Sequence, residues 1–273
     1  MKAIMRKAAN SRGATLLEVL IAVAIMGFVT AAIFELYVTQ HKHYIVQDDI
    51  TNIQQNVRAS IDELGRQIKM AGYDLPLGLP ALKASNTNPD TITITYQIGN
   101  CETYLAAAMP QPSAELKCAT DISCFYEGQW VYIFEPDSSI GEWFQITQVQ
   151  EASMHLQHNT MQLSRRYGAN ALVLSMTQVK FYVDNTTNPD HPNLMLKIMG
   201  QTPQVYAEDV TNLQFQYRMK NGVVVDVPTV VDHVREVLID VTGRSRRPDP
   251  DEPQNPYRQR TFSTSVFLRN VGV

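Results

Sequence analysis

Residues 12–38 read RGATLLEVLIAVAIMGFVTAAIFELYV. After Gly13 the stretch is apolar except for Thr15, Glu18, Thr30 and Glu35. A helix of about 20 such residues, rising 1.5 Å each, crosses the hydrocarbon of a bilayer. Ahead of it, residues 1–13 carry Lys2, Arg6, Lys7 and Arg12 and no acid, which by the positive-inside rule keeps the N-terminus cytoplasmic. An ordinary secretory signal has an apolar region of about 7–15 residues and then a small-residue cleavage site. This run is longer and passes without a break into a polar helical pattern, so the chain beyond it is expected in the periplasm or outside the cell.

Glu18 is the residue that a plain membrane anchor does not call for. A carboxylate near mid-bilayer costs roughly 2.5–3.5 kcal/mol on insertion scales, and somewhat less near the interface. Gly13 stands five residues before it, at the boundary between charge and grease. Arg12-Gly13-Ala14-Thr15-Leu16-Leu17-Glu18 resembles the type IV prepilin signature. The resemblance implies that a dedicated peptidase cuts between Gly13 and Ala14 and methylates the new amine of Ala14, making Glu18 the fifth mature residue. Glu18 of one subunit would then neutralise the amino terminus of its neighbour, and such buried pairs fix register better than they add stability. Ala14 stands where many members carry Phe. Glu35 stands where many carry a helix-kinking Pro, and here no proline precedes Pro76.

From Gln40 the composition turns polar while helical spacing persists. Val46, Ile50, Ile53, Val57, Ile61, Leu64 and Ile68 form one apolar stripe, and Asp48, Asp49, Gln55, Arg58, Asp62, Arg66 and Lys69 occupy the opposite face. Helix from 14 to about 72 would be roughly 90 Å long, stopping at Gly72 ahead of Pro76. The stripe is expected to dock on the chain's own globular part rather than form a coiled-coil seam.

Tyr44, Gln54-Gln55-Asn56-Val57-Arg58 and Lys69-Met70-Ala71-Gly72-Tyr73 are similar to the minor pilins called PilW. Ala207–Tyr217 (AEDVTNLQFQY) and the ending Val266-Phe267-Leu268-Arg269-Asn270 also resemble that group, although the ending recurs in the J-like minor pseudopilins of type II secretion. The resemblance implies an inner-membrane protein with one span and a cytoplasmic N-terminus, which later enters a pilus fibre at the cell surface. It would prime pilus assembly and sit at the tip. Its implied partners are other minor pilins and the major pilin through the N-terminal helix, the prepilin peptidase, the inner-membrane assembly platform and a tip adhesin. A minor pseudopilin has the same fold with secretion partners. A signal-anchored periplasmic enzyme or binding module is the alternative from another class.

Beyond Tyr73 the pattern is strand-like. Thr91–Ile98 (TITITYQI) alternates, and further strands are expected at 130–134, 143–149, 171–183, 194–199, 212–219, 223–227, 234–241 and 262–269. Asn221-Gly222 marks a hairpin turn. No long helices alternate with the strands, which excludes a doubly wound nucleotide fold. The expected class is α+β and pilin-like: a long N-terminal helix on a mostly antiparallel sheet, in a large or two-sheet version. Leu75–Asp90 and Gly243–Tyr257 read as loops, the second solvated and mobile or else a partner contact. With 44% hydrophobic and 18% charged residues the chain is composed like a folded protein, and its net charge of −4 lacks the basic field of a nucleic-acid binder.

Cys101, Cys118 and Cys124 lie in an oxidising compartment, so one disulfide and one leftover thiol are expected. Spacing does not choose among the three pairings, and Cys118–Cys124 is the one preferred. No zinc spacing is present. His41 and His43 flank Lys42 just outside the membrane, and His155 with His158 is a poor metal pair in strand or loop. Asp184, Asn188 and Asp190 offer oxygens as calcium loops do but lack the turn Gly and bidentate Glu, so an Asx-rich turn is the simpler expectation. No phosphate loop, nucleophile elbow or HExxH helix occurs. The chain is expected to be a peptidase substrate and not an enzyme, with no cofactor and no resident metal.

Overall fold

The computed structural model describes residues 15–249, 252, 254 and 256–272. Helix α1 spans Leu16–Met70. The chain divides into two compact units, Met1–Asp49 and Ile50–Val273. In the described part of the first unit, Thr15 opens α1 and the apolar side chains from Leu16 to Tyr37 are exposed, with Leu16 and Phe28 each 80% accessible.

The second unit is built on the last five turns of α1. Ile53, Val57, Leu64 and Ile68 are buried, with Ile61 packed partly against them, so within this unit the stripe docks on the chain's own sheets as expected. Asp49, the last residue of the first unit and assigned by periodicity to the solvated face, is buried. Tyr96 Oη donates to Gln67 Oε1 at 2.9 Å and Tyr206 Oη to the carbonyl of Ala59 at 3.3 Å, adding polar contacts beside the apolar seam.

Fourteen strands follow among the described residues: β1 Leu82–Ser85, β2 Thr91–Tyr104, β3 Leu116–Lys117, β4 Trp130–Glu135, β5 Ile140–Gln145, β6 Gln148–Gln150, β7 His155–Gln157, β8 Leu172–Asp184, β9 Asn193–Ile198, β10 Gln204–Ala207, β11 Val210–Met219, β12 Val224–Val225, β13 Val234–Arg244 and β14 Gln259–Phe267. All pairings are antiparallel. They form three sheets where one or two were expected. A seven-stranded sheet runs β1-β2-β8-β4-β5 with β9 also on β8 and β10 on β9; a four-stranded sheet runs β12-β11-β13-β14; a three-stranded one runs β3-β7-β6. The fold is α+β, a long N-terminal helix with antiparallel sheets. β1 falls inside the segment expected to be loop, its four residues being too few to show a period.

There are two main cores. The first joins α1 to Ile92 and Ile94 of β2, Phe181 of β8, Phe215 of β11 and Ile239 of β13. The second takes nothing from the helix: Leu116, Phe125, Val131, Phe144, Leu156 and Tyr167 are among its members, and all lie between Cys101 and Val173. β2 and β8 are direct neighbours, with Ile92 opposite Phe181 and Tyr104 opposite Leu172. The residues between them are an excursion whose ends are tied together, Leu105 N donating to the Ala171 carbonyl at 2.9 Å.

The resemblance segments meet in space. Gly72 ends α1 at φ +83°, where a Cβ would stand 2.6 Å from the Asn270 carbonyl oxygen, so both the turn and the close approach require glycine. Asn270 Nδ2 in turn donates to the Lys69 carbonyl at 3.3 Å, and Asn56 Nδ2 to the Glu208 carbonyl at 3.4 Å. Val266 and Leu268 of the ending are buried in the first core. The hairpin at Asn221-Gly222 forms as expected, with Gly222 at φ +84° and Met219 N donating to the Val223 carbonyl at 2.8 Å.

The 243–257 segment differs from a freely solvated loop. It opens inside β13, and its described residues are held by ion pairs: Arg258 to Asp249 at 2.7 Å, Arg258 to Glu252 at 3.4 Å, and Arg246 to Glu208 at 2.9 Å. The Arg244 guanidinium lies 4.3 Å from the centre of the Tyr257 ring, and Asp249 is buried.

Candidate functional site

The chemistry-bearing part of the chain starts where α1 starts. Thr15 Oγ1 accepts the amide of Glu18 at 3.3 Å, and the Thr15 carbonyl accepts Val19 N at 3.2 Å. Thr15 is therefore the N-cap, and Glu18 lies in the first turn, where a carboxylate is favoured by the positive end of the helix. Sequence reasoning passed over Thr15, although Thr15-Leu16-Leu17-Glu18 fits the capping-box pattern that marks a helix start. Glu18 thus has a local reason to be near the helix N-terminus, besides any role between subunits.

Sixteen uncharged residues, Val19–Phe34, separate Glu18 from Glu35. They span about 24 Å of helix, less than the roughly 30 Å of hydrocarbon in a bilayer. One of the two carboxylates must therefore approach or enter the hydrocarbon edge. Thr30 satisfies its hydroxyl inside the helix, donating to the Met26 carbonyl at 2.8 Å. Tyr37 and His41 stack one turn apart with ring centroids 5.9 Å apart. This is one helix long and apolar enough to cross a membrane, and none of its most apolar window is buried. An apolar surface of this extent implies a lipid or protein covering.

Gly13 and Ala14, the expected cleavage and methylation positions, lie outside the described residues. Residues 8–34 match the family described as the prokaryotic N-terminal methylation motif.

The chain carries a prepilin-type start.

With the α+β fold, this supports a type IV pilin-like or pseudopilin protein, and the one apolar helix of this length among the described residues fits a membrane anchor. No curated protein matches the chain.

Elsewhere the structure sorts the other candidates. The disulfide is Cys101–Cys124, with Cα atoms 5.8 Å apart, and not the preferred Cys118–Cys124. Cys118 is buried in the second core, of which Cys101 is also a member, and forms a bridge with Leu105. Its burial pushes the thiol up to about 11, so at pH 8 only about one molecule in a thousand carries the reactive thiolate. Native protein is expected to resist alkylation at Cys118; denaturation without reductant should expose one thiol per chain, and reduction three. Mass spectrometry of iodoacetamide adducts checks this, and rapid labelling of the native protein would contradict it.

The Asp184 carboxylate is occupied locally. It accepts the amide and hydroxyl of Thr186 at 2.9 and 2.7 Å and those of Thr187 at 3.1 and 2.6 Å. These bonds, the Thr187 hydroxyl first, hold its pKa well below the usual carboxylate range. This is an Asx-type turn. Asn188 contributes its carbonyl to His191 N, and the Asp190 carbonyl accepts from Arg244. Among the described residues no three His, Cys, Asp or Glu side chains are grouped to hold a metal.

His158 is a core histidine, with Nδ1 2.8 Å from the Met161 carbonyl and Nε2 2.8 Å from that of Ala114. His155 lies on β7 within 3.8 Å of Glu115. Two acidic side chains that sequence reasoning did not single out, Glu135 and Glu142, pin the 164–168 loop. Glu142 accepts from Ser164 and from Tyr167 Oη at 3.0 Å, and Glu135 from Gly168 N at 2.9 Å. Burial, reinforced by Glu142, raises the Tyr167 phenol far above its ordinary value.

Proposed function

We propose that the chain is a minor type IV pilin of the PilW kind, a structural subunit without enzymatic activity that primes pilus assembly and takes a place at the fibre tip. The observation that carries this is Glu18, an acid in the first turn of an exposed apolar helix inside a prepilin-type motif. After removal of residues 1–13, the amine of Ala14 gains a positive charge at the helix N-terminus, where the dipole disfavours it. A neighbouring subunit's Glu18 relieves that charge, and neither group is well accommodated in hydrocarbon alone. Helices pack laterally only in the register that brings the two together, so the pair selects a stagger while the apolar surface supplies contact. The partners are therefore chains with the same kind of N-terminal helix, besides the processing peptidase and the inner-membrane platform.

The exposed residues Gln54, Gln55 and Arg58 lie outside the seam by which α1 holds its own sheets, which leaves that face of the helix for neighbouring subunits. The test is the intact mass of the N-terminal peptide from cells. The expected species is N-methyl-Ala14 followed by Thr15. A working protein that retains Met1 would overturn the assignment.

A further inference from the structure

We propose that the globular unit carries a binding site for an uncharged saccharide, in a groove of about 460 Å³ where β4 and β9 meet end to end along β8. β2 occupies one edge of β8. The other edge is shared: β4 pairs with Leu172–Leu174 and β9 with Val179–Asp184. Between them neither ladder reaches Ser175, Met176 or Thr177, while Met199 N donates to the Gln178 carbonyl at 2.8 Å. On the β2 side the register jumps from Gln97 opposite Met176 to Glu102 opposite Leu174, with Gly99 at φ +62° in the bulge. The sheet therefore opens on both edges at the same place.

The opening is lined for a neutral, hydroxyl-rich ligand. No Asp, Glu, Lys, Arg or His lines it; amides, hydroxyls and two aromatic rings do, together with apolar walls from Ile98, Met176, Ile198 and Met199. Trp130, the first residue of β4, seats its indole against Gly200, where a Cβ would come within 2.3 Å of the ring. Tyr126 is 64% exposed at the rim, on a backbone that is held at both its amide and its carbonyl. Gln129 Oε1 accepts Tyr126 N at 3.1 Å, the Tyr126 carbonyl accepts Gln129 N at 3.2 Å, and Gln129 Nε2 donates to Ser175 Oγ at 2.7 Å. The Cys101–Cys124 disulfide fixes the same loop two residues earlier.

An exposed ring on a fixed backbone, beside amides such as that of Asn100, matches what a sugar presents: an apolar C–H face and a rim of hydroxyl donors and acceptors. An anion would find no cation and a metal ion no carboxylate. Three residues of β8 left without a ladder on the β4–β9 edge are too few for a peptide to add as a strand. The volume falls in the range of small-ligand sites, about 300–1,000 Å³.

The test uses the full chain in a non-glycoside detergent, titrated with lactose-terminated tetrasaccharide, chitotetraose, maltotetraose and sialyllactose, with saturation-transfer NMR as readout. At least one neutral sugar is expected to bind with Kd below about 10 mM. The exposed-site variants Tyr126→Ala and Asn100→Ala should keep the melting temperature and weaken that binding by about tenfold or more. Preference for the chitin oligomer would identify cell-wall-type amino sugars as the source, and preference for the lactose-terminated one a surface glycan. Absence of saturable binding to every neutral sugar, equal binding of sialyllactose, or binding unchanged in both variants would overturn the proposal.

Discussion

Glu18→Ala is expected to reach the membrane at normal or raised levels and to be missing from sheared fibres. The substitution removes an insertion cost of roughly 2.5–3.5 kcal/mol at mid-bilayer, so the single-subunit state gains. The assembled state loses the partner of a buried amine, a change worth about 3–5 kcal/mol when one member of such a pair is deleted. Both effects push the same way, and a fall in incorporation of about 100-fold or more follows from the tenfold-per-1.4 kcal/mol rule. Immunoblots of membrane and fibre fractions measure it. Because Glu18 also sits in the first helical turn beside its cap Thr15, Thr15→Ala is the control. It removes the cap at a cost of about 1 kcal/mol but keeps the charge, and should still enter fibres. Fibres that contain the Glu18→Ala protein at ordinary levels would remove the role of charge in setting register.

Asp90→Ala is expected to be the most damaging single change in the globular unit away from its apolar cores. Asp90 is 3% exposed and links two sheets. Its Oδ2 accepts Phe215 N at 2.8 Å, its Oδ1 accepts Thr87 N at 2.9 Å, and its own amide donates to the Leu213 carbonyl at 2.8 Å. Alanine leaves two amide donors without an acceptor, at a cost of about 1–3 kcal/mol for each that stays buried. A loss of about 3–5 kcal/mol lowers the melting temperature of a unit this size by about 10 °C or more. Asp184→Ala is the matched comparison: its four bonds are all within its own turn and solvent-exposed. It should shift melting little, and equal shifts for the two variants would show that linking the sheets is not what makes Asp90 matter.

How much was legible in the sequence depended on the length over which a pattern repeats. The apolar stripe from Ile53 to Ile68 repeats over four turns and docks as its period demands. Long strands such as β8, β11 and β13 match their expected spans to within three residues, whereas β2 is expected only over Thr91–Ile98 and runs on past the irregularity at Gly99 to Tyr104. β1, β3 and β10 are two to four residues long and carry no readable period; they exist because a longer neighbour offers an edge. The pairing of Cys101 with Cys124 was illegible for a related reason. It depends on β2 carrying Cys101 to the loop that holds Cys124, a tertiary fact that loop spacing does not encode. Asp49 is buried, against the expectation of a solvated face, because periodicity assigns a helix face and says nothing of the interactions that make burial of a carboxylate tolerable. At the helix start the sequence held more than was taken from it, since Thr15 and Glu18 form a cap pattern whichever subunit stands beside them.

The second core has its own boundary in the chain. Leu105 and Ala171 already touch, and β2 and β8 pair on the near side of them. The polypeptide from 106 to 170 is thus an appendix to a hairpin that closes without it, although β4 and β5 extend the sheet from within it. Trimming it to a short turn would leave every helix-docking residue of the first core in place. A subunit built this way can exchange its outer lobe, and whatever that lobe touches, while the parts that seat the last turns of α1 on the sheets stay as they are.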